Sequence, residues 1–251
     1  MRRPAPAGGG GFFPSTQHSA IIGARGADPV ERARAFEVLV AAYWKPTYKH
    51  LRVRWRKDSE ACRDLTQAFF AIAYEKRYFD AYDPSVARFR TFFKTCLDRF
   101  VSKEVQAQGR QKRGGGAVVL SLDFDHAENE LARTEPPAPD QLETYFDAEW
   151  VRSLMSGALE TLRRQCESRG RNRTYEMFAR TALAEEDTPR PSYAELAAEH
   201  RLSVTDVTNH ITFARREFRR IVLERLRQLT GSEEEFRSEA RAVLGVELPK
   251  K

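Results

Sequence analysis

The chain reads as an all-α protein: two helical domains joined by a flexible linker, the second containing a helix-turn-helix. Three observations predict this. Apolar residues recur at spacings of three and four through most of the 251 residues, the signature of one buried helical stripe after another. The one strand-like run is a short AVVLSL at residues 117–122. Around it lies a Gly- and Pro-rich span, GRQKRGGG at its start and EPPAPD at its end, too long for an ordinary loop within a domain. The resulting divisions are a flexible tail (1–27), a first domain (28–108), a linker (109–140), a second domain (141–230) and a helical C-terminal extension (231–251).

The tail MRRPAPAGGGGFFPSTQ carries arginines but lacks the apolar centre of a signal peptide. No apolar run exceeds seven residues, the length of Val38 to Trp44, far short of a membrane span, so a cytoplasmic protein without membrane contact is expected. Next comes a helix over ACRDLTQAFFAIAYEK. Leu65, Phe69, Ile72 and Ala73 point inward, and Asp64, Gln67 and Ala71 form an outward stripe suited to docking a partner helix. The loop YFDAYDPSVARF joins it to another helix and places Tyr82 at an irregular, exposed position. In that next helix Phe89, Phe93 and Phe100 belong to a core. Phe92 begins an exposed alternation flanked by Arg88, Thr91, Thr95 and Arg99. Aromatic rings beside cations suit unpaired bases, which stack on the rings while the cations hold the backbone.

Beyond the linker, Leu142, Phe146, Trp150, Leu154, Ala158 and Leu162 share one helical face, and Tyr175, Phe178 and Ala182 mark the following helix. Residues 191–226 then read as a helix-turn-helix. Ser192 caps a helix from Tyr193 to His200, and Arg201-Leu202 break it. Ser203 caps the second helix, with Asp206 placed to return the capping interaction. Val207, Ile211, Ala214, Phe218 and Val222 form its buried stripe. The opposite face presents Thr205, Thr208, Asn209 and Thr212, then Arg215, Arg216, Arg219 and Arg220. Hydroxyls and amides read base edges, while guanidiniums hold phosphates. The tight turn demands a left-handed residue and offers Arg201 rather than Gly, at about 1 kcal/mol. A short charged helix from Ser232 to about Leu244 completes the chain, with Glu233 to Glu235 suited to its first turn.

Charge supports a polyanionic partner. Lys and Arg number 42 against 36 Asp and Glu, a net charge of +6. Between residues 99 and 113 five bases (Arg99, Lys103, Arg110, Lys112, Arg113) meet the single acid Glu104, a local field that favours phosphate. Cys62, Cys96 and Cys166 stand apart without metal spacing and read as buried or half-buried free thiols. Asp123, Asp125, His126 and Glu128 are the one metal-like grouping, on a segment read as mobile linker, and no metal or other cofactor is expected.

The order of these features resembles bacterial RNA polymerase sigma factors of the extracytoplasmic-function type, over roughly residues 30–230. DLTQAFF looks like the core-binding helix of that family and YDPSVARFRTFFKTCLDRF like its promoter-melting segment. SYAELAAEHRLSVTDVTNHITFARREFRR looks like its −35-reading domain, and QGRQKRGGGAVVLSLD like the linker of a long-linker subgroup. The resemblance implies a non-enzymatic protein with two partners, the RNA polymerase core (β′ and β subunits) and promoter DNA. Asp64 and Gln67 would contact the β′ clamp helices. Tyr82, Arg88, Phe92, Arg99 and Lys103 would engage the −10 element. Thr205, Thr208, Asn209 and Thr212 would face −35 base edges, with Arg215 and Arg216 on phosphates. Two positions depart from the family pattern, Ala68 where Glu usually follows the DLxQ motif and Arg201 where the turn usually has Gly. Whether an anti-sigma protein restrains the chain is left open by the sequence. The rivals are a conventional helix-turn-helix regulator whose first block senses a ligand or dimerises, and a DNA-processing enzyme.

Overall fold

A computed structural model describes residues 19–108, 122–183 and 189–247, all of them in helices, turns and connections. Ten α-helices follow in order: α1 (Ala20–Gly23), α2 (Pro29–Arg54), α3 (Ser59–Glu75), α4 (Phe89–Gln108), α5 (Phe124–Ala132), α6 (Leu142–Ser168), α7 (Asn172–Ala182), α8 (Tyr193–His200), α9 (Val204–Gln228) and α10 (Glu233–Leu244). Short 3-10 turns lie at Tyr78–Ala81 and Pro139–Gln141. The all-α class is therefore as the periodicity predicts. The basic residues Arg110, Lys112 and Arg113, and all of the AVVLSL run except Leu122, lie outside the described residues.

Helix α2 is the axis of the molecule. Asp28 starts it, accepting hydrogen bonds from the Val30 and Glu31 N–H groups at 2.8 and 3.4 Å, and Pro29 occupies the first turn, where no N–H is needed. At 26 residues it is about 39 Å long at 1.5 Å per residue, long enough to carry partners along its whole length. Helices α3, α5 and α6 all pack against it. Tyr43, at its centre, stacks on Phe93 of α4 with ring centroids 4.4 Å apart and lies 6.1 Å from Trp150 of α6. Phe93 in turn stacks on Phe146 at 6.0 Å and meets Phe69 of α3 edge-on at 5.2 Å.

Those contacts change the picture of the linker. Phe146 and Trp150 lie on the predicted inward face of α6, but they bury themselves in the aromatic centre of the α2–α4 block. One continuous core runs from α1 to α10, and α7, α8 and the start of α9 keep a smaller cluster of Met177, Leu196, Ala197, Val207 and Ile211. Inside the span read as linker, α5 docks on α2. Its Phe124 sits against Trp44 and Tyr48 at 5.6 and 5.1 Å. Glu128 accepts from the Tyr48 hydroxyl at 2.5 Å and from Arg52 at 2.6 and 3.2 Å. Glu130 bridges Lys45 and Lys49, each at 2.8 Å. The charge complementarity between an acidic segment and a basic helix about 80 residues earlier has no local sequence signature.

The tail expectation also shifts. Residues 20–23 form a helical turn capped by Ser19, Ile21 is fully buried, and the Ser19 hydroxyl donates to the Thr230 carbonyl at 2.6 Å. The cysteines are as expected, Cys62 and Cys166 buried and Cys96 half-buried, all free. Among the described residues no helix is long and apolar enough to cross a membrane.

Candidate nucleic-acid interface

The α8–α9 hairpin is built by caps at both helix starts. The Ser192 hydroxyl accepts from the Glu195 N–H at 3.2 Å, and Glu195 accepts in return from the Ser192 N–H at 2.7 Å. Ser203 and Asp206 repeat the device for α9 at 3.0 and 3.2 Å. Both carboxyls are held below the usual carboxylate range, Glu195 by the backbone and hydroxyl of Ser192, Asp206 by the hydroxyl and backbone of Ser203. Between the helices Arg201 is left-handed (φ 56°, ψ 48°). Its N–H donates to the Ala198 carbonyl at 3.3 Å, and that of Leu202 to the Ala197 carbonyl at 2.9 Å, the paired bonds of a Schellman ending.

The turn sets α9 so that Val207, Ile211 and Ala214 are buried, while Thr205, Thr208, Asn209, Thr212, Arg215 and Arg216 are all exposed. The Thr208 hydroxyl donates to the Val204 carbonyl at 2.9 Å and keeps its acceptor face outward. Arg216 lies over the Phe213 ring at 5.6 Å, as does Arg171, just before α7, at 4.7 Å. Arg215 makes no ion pair among the described residues. Arg220, by contrast, is held by Glu217 and Glu224 at 3.1 and 2.5 Å. The exposed face is thus a polar tip followed by a cationic stem on one continuous helix. Two contacts that the sequence pattern missed hold the hairpin to α7, one through α9 and one through α8. Thr174 and His210 share a hydrogen bond of 2.8 Å, and Arg180 pairs with Glu199 at 2.7 Å.

On α3, Asp64 is exposed and Gln67 half-exposed, and Leu65 and Phe69 are buried as their spacing predicts. On α4, Arg99 and Lys103 are exposed. The other three residues of that expected group are engaged by protein contacts, Tyr82 buried, Phe92 half-buried and the Arg88 side chain 40% exposed. Tyr82 is only 2% exposed, contrary to its expected place on an open loop. Its ring meets Phe89 edge-on at 5.1 Å, and its hydroxyl donates to Glu235 of α10 at 2.8 Å. Phe92 is half-buried, 5.4 Å from the Tyr82 ring. Arg88 donates to the Ser238 hydroxyl at 2.8 Å. The reason is α10, which lies across the start of α4. Glu235 and Glu239, 7% and 2% exposed, are the side chains that sequence reasoning missed there. A surface-type acidic helix start gave no hint that two of its carboxylates face inward.

The acidic grouping at the linker is committed to protein contacts: Asp123 caps α5, Asp125 pairs with Arg63 at 2.5 Å, and His126 lies 2.8 Å from Glu130. Comparison of the chain with protein-family models, with curated proteins and with solved structures finds no match to any of them.

Proposed function

We propose that the chain is a sigma factor, binding the RNA polymerase core and directing promoter recognition and DNA melting. The observation that carries this is the α9 face, where Thr205, Thr208, Asn209 and Thr212 precede Arg215 and Arg216 on the solvent side of a capped, buttressed helix. A helix of that width fits the major groove, its tip reading base edges and its stem resting on phosphates. On the resemblance drawn from the sequence this hairpin is a helix-turn-helix that takes the −35 element. The exposed Asp64 and half-exposed Gln67 take the polymerase clamp, and Arg99 and Lys103 lie along the −10 strand. No catalytic group is called on; binding energy distributed over two promoter elements offsets unstacking, a few kcal/mol per base step. A cytoplasmic location and a role in transcription initiation follow from the same proposal.

One observation favours the rival of a conventional DNA-binding regulator: the continuous core makes the first block a support for the hairpin. Run-off transcription with purified polymerase core on a library of random promoters separates the two. The sigma factor yields transcripts whose start sites share two spaced elements. A chain that binds duplex DNA but neither binds core nor starts transcripts is the regulator.

A further inference from the structure

We infer that α10 is an intramolecular cap whose two inward carboxylates, Glu235 and Glu239, occupy an anion-binding surface at the start of α4 and so keep single-stranded DNA from Tyr82, Arg88 and Phe92. The identity of the excluded ligand rests on the sigma-factor proposal; the cap itself rests on the contacts.

The surface under α10 has the parts of an anion site. Phe89 opens α4, so its N–H has no partner within the helix and points out at the positive end of the helix dipole. Glu235 accepts that N–H at 2.6 Å, together with the Tyr82 hydroxyl at 2.8 Å and the Gly231 N–H at 2.6 Å. One turn along α10, Glu239 faces Arg90 and Arg88 at 3.3 and 3.5 Å. A helix N-terminus, a phenol and two guanidiniums would serve a phosphate backbone equally well.

Phe236 and Ala240 seat α10 on the core, and two further features bear on how it could leave. Glu239 is 2% exposed, yet neither of its oxygens makes an aligned hydrogen bond. A buried carboxylate so weakly compensated lowers the stability of the docked state. The connection to α9 is also unusually close. A Cβ at Gly231 would lie 2.7 Å from Cε1 of Tyr82, so the chain reverses by laying bare backbone on the ring. Opening at Thr230–Ser232 would uncover the Tyr82 phenol, free Arg88, leave Arg90 facing Asp147 at 3.6 Å, and extend the surface to Phe92 and the exposed Arg99. Rings interleaved with cations are what a single strand binds.

Fluorescence anisotropy with a labelled single-stranded oligodeoxynucleotide, on the full chain, tests the cap. Glu235→Ala removes the acceptor for three donors, and Gly231→Val wedges the turn off Tyr82. Each is expected to bind roughly tenfold tighter than the wild type, because apparent affinity scales with the open fraction. Adding Arg88→Ala should cancel the gain. Circular dichroism and hydrogen exchange confirm that the helices persist while residues 233–244 lose protection. The wild type supplies a check free of folding artefacts, since saturating oligonucleotide should speed exchange of 233–244. Released but folded variants with unchanged affinity, or unaltered exchange of 233–244 at saturation, overturn the cap. Binding of polymerase core by the wild type is scored separately. Its absence removes the sigma-factor proposal but leaves a competition between α10 and DNA standing.

Discussion

Arg201 holds the left-handed conformation that the turn between α8 and α9 demands, at a cost of about 1 kcal/mol that Gly would avoid. Arg56 and Arg77 do the same, at φ 48° and 50°. Arg201 was decidable locally, from the tight turn between two helices, whereas Arg56 and Arg77 carry no such sequence signal, because other helices here, α5, α7 and α9, end without a left-handed residue. On α9, division of labour gives opposite outcomes for neighbouring residues. Asn209→Ala should cost about 1–3 kcal/mol of discrimination at one base pair while leaving random-sequence binding nearly intact. Arg215→Ala should weaken binding to all sequences and reduce the salt slope by about one. Electrophoretic mobility shifts at several salt concentrations measure both; equal effects on specific and random DNA would remove the assignment. Glu239 is the opposite kind of residue, one whose role depends entirely on a distant partner. Burial, only partly countered by Arg90 and Arg88, raises its carboxyl above the ordinary 4.5. A raised carboxyl favours the folded state when protonated. Its contribution is therefore full below pH 4.5 and is lost as pH climbs through the folded value. Glu239→Gln should accordingly raise the melting temperature at pH 7 and leave it nearly unchanged near pH 4.

At the scale of elements, most helices follow from their own residues. Ser192 and Ser203 cap α8 and α9 as expected, each with a reciprocal carboxylate, whereas Ser232 caps α10 without one because Glu235 turns inward to Tyr82. Ser203→Ala should cost about 1 kcal/mol and expose the first turn of α9 to hydrogen exchange. Helix α5 differs, because its sequence was read as linker and its stability comes from α2. Glu128→Ala would strand the Tyr48 hydroxyl and Arg52, costing about 2 kcal/mol in urea unfolding. The docking is also acid-sensitive. Burial pushes Glu130 up, but Lys45 and Lys49 outweigh it and hold the carboxyl down at about 2. Asp98 behaves alike, burial being outweighed by His50 and Lys94, also to about 2. Depressed carboxyls stabilise the fold above their ordinary values, and that stabilisation drains away as pH falls toward 2. Circular dichroism between pH 5 and 2 should show unfolding that Glu130→Gln shifts to a less steep dependence.

For the whole molecule, the joint between the two halves is aromatic. Trp150 is 1% exposed against Tyr43, with the Arg90 guanidinium 5.2 Å from its ring. Trp150→Ala should cost about 3–5 kcal/mol, and small-angle scattering should show an enlarged particle as α6 leaves α2. A melt that keeps one transition at unchanged temperature would mean that the halves do not rely on this joint. Composition and periodicity by themselves determined the all-helical class, the inward faces of α3, α4, α6 and α9, the caps of α8 and α9, and the exposed polar face of α9. Each depends on neighbours three or four residues apart, a range over which side-chain spacing dictates direction. The tertiary structure alone decided that α5 docks on α2, that α6 shares the core of the first block, and that α10 covers Tyr82 and Arg88. Those contacts join residues separated by about 53 to 153 positions. At that distance charge and apolar surface can pair in many ways, and the choice among them is made by packing, which no short stretch of sequence contains.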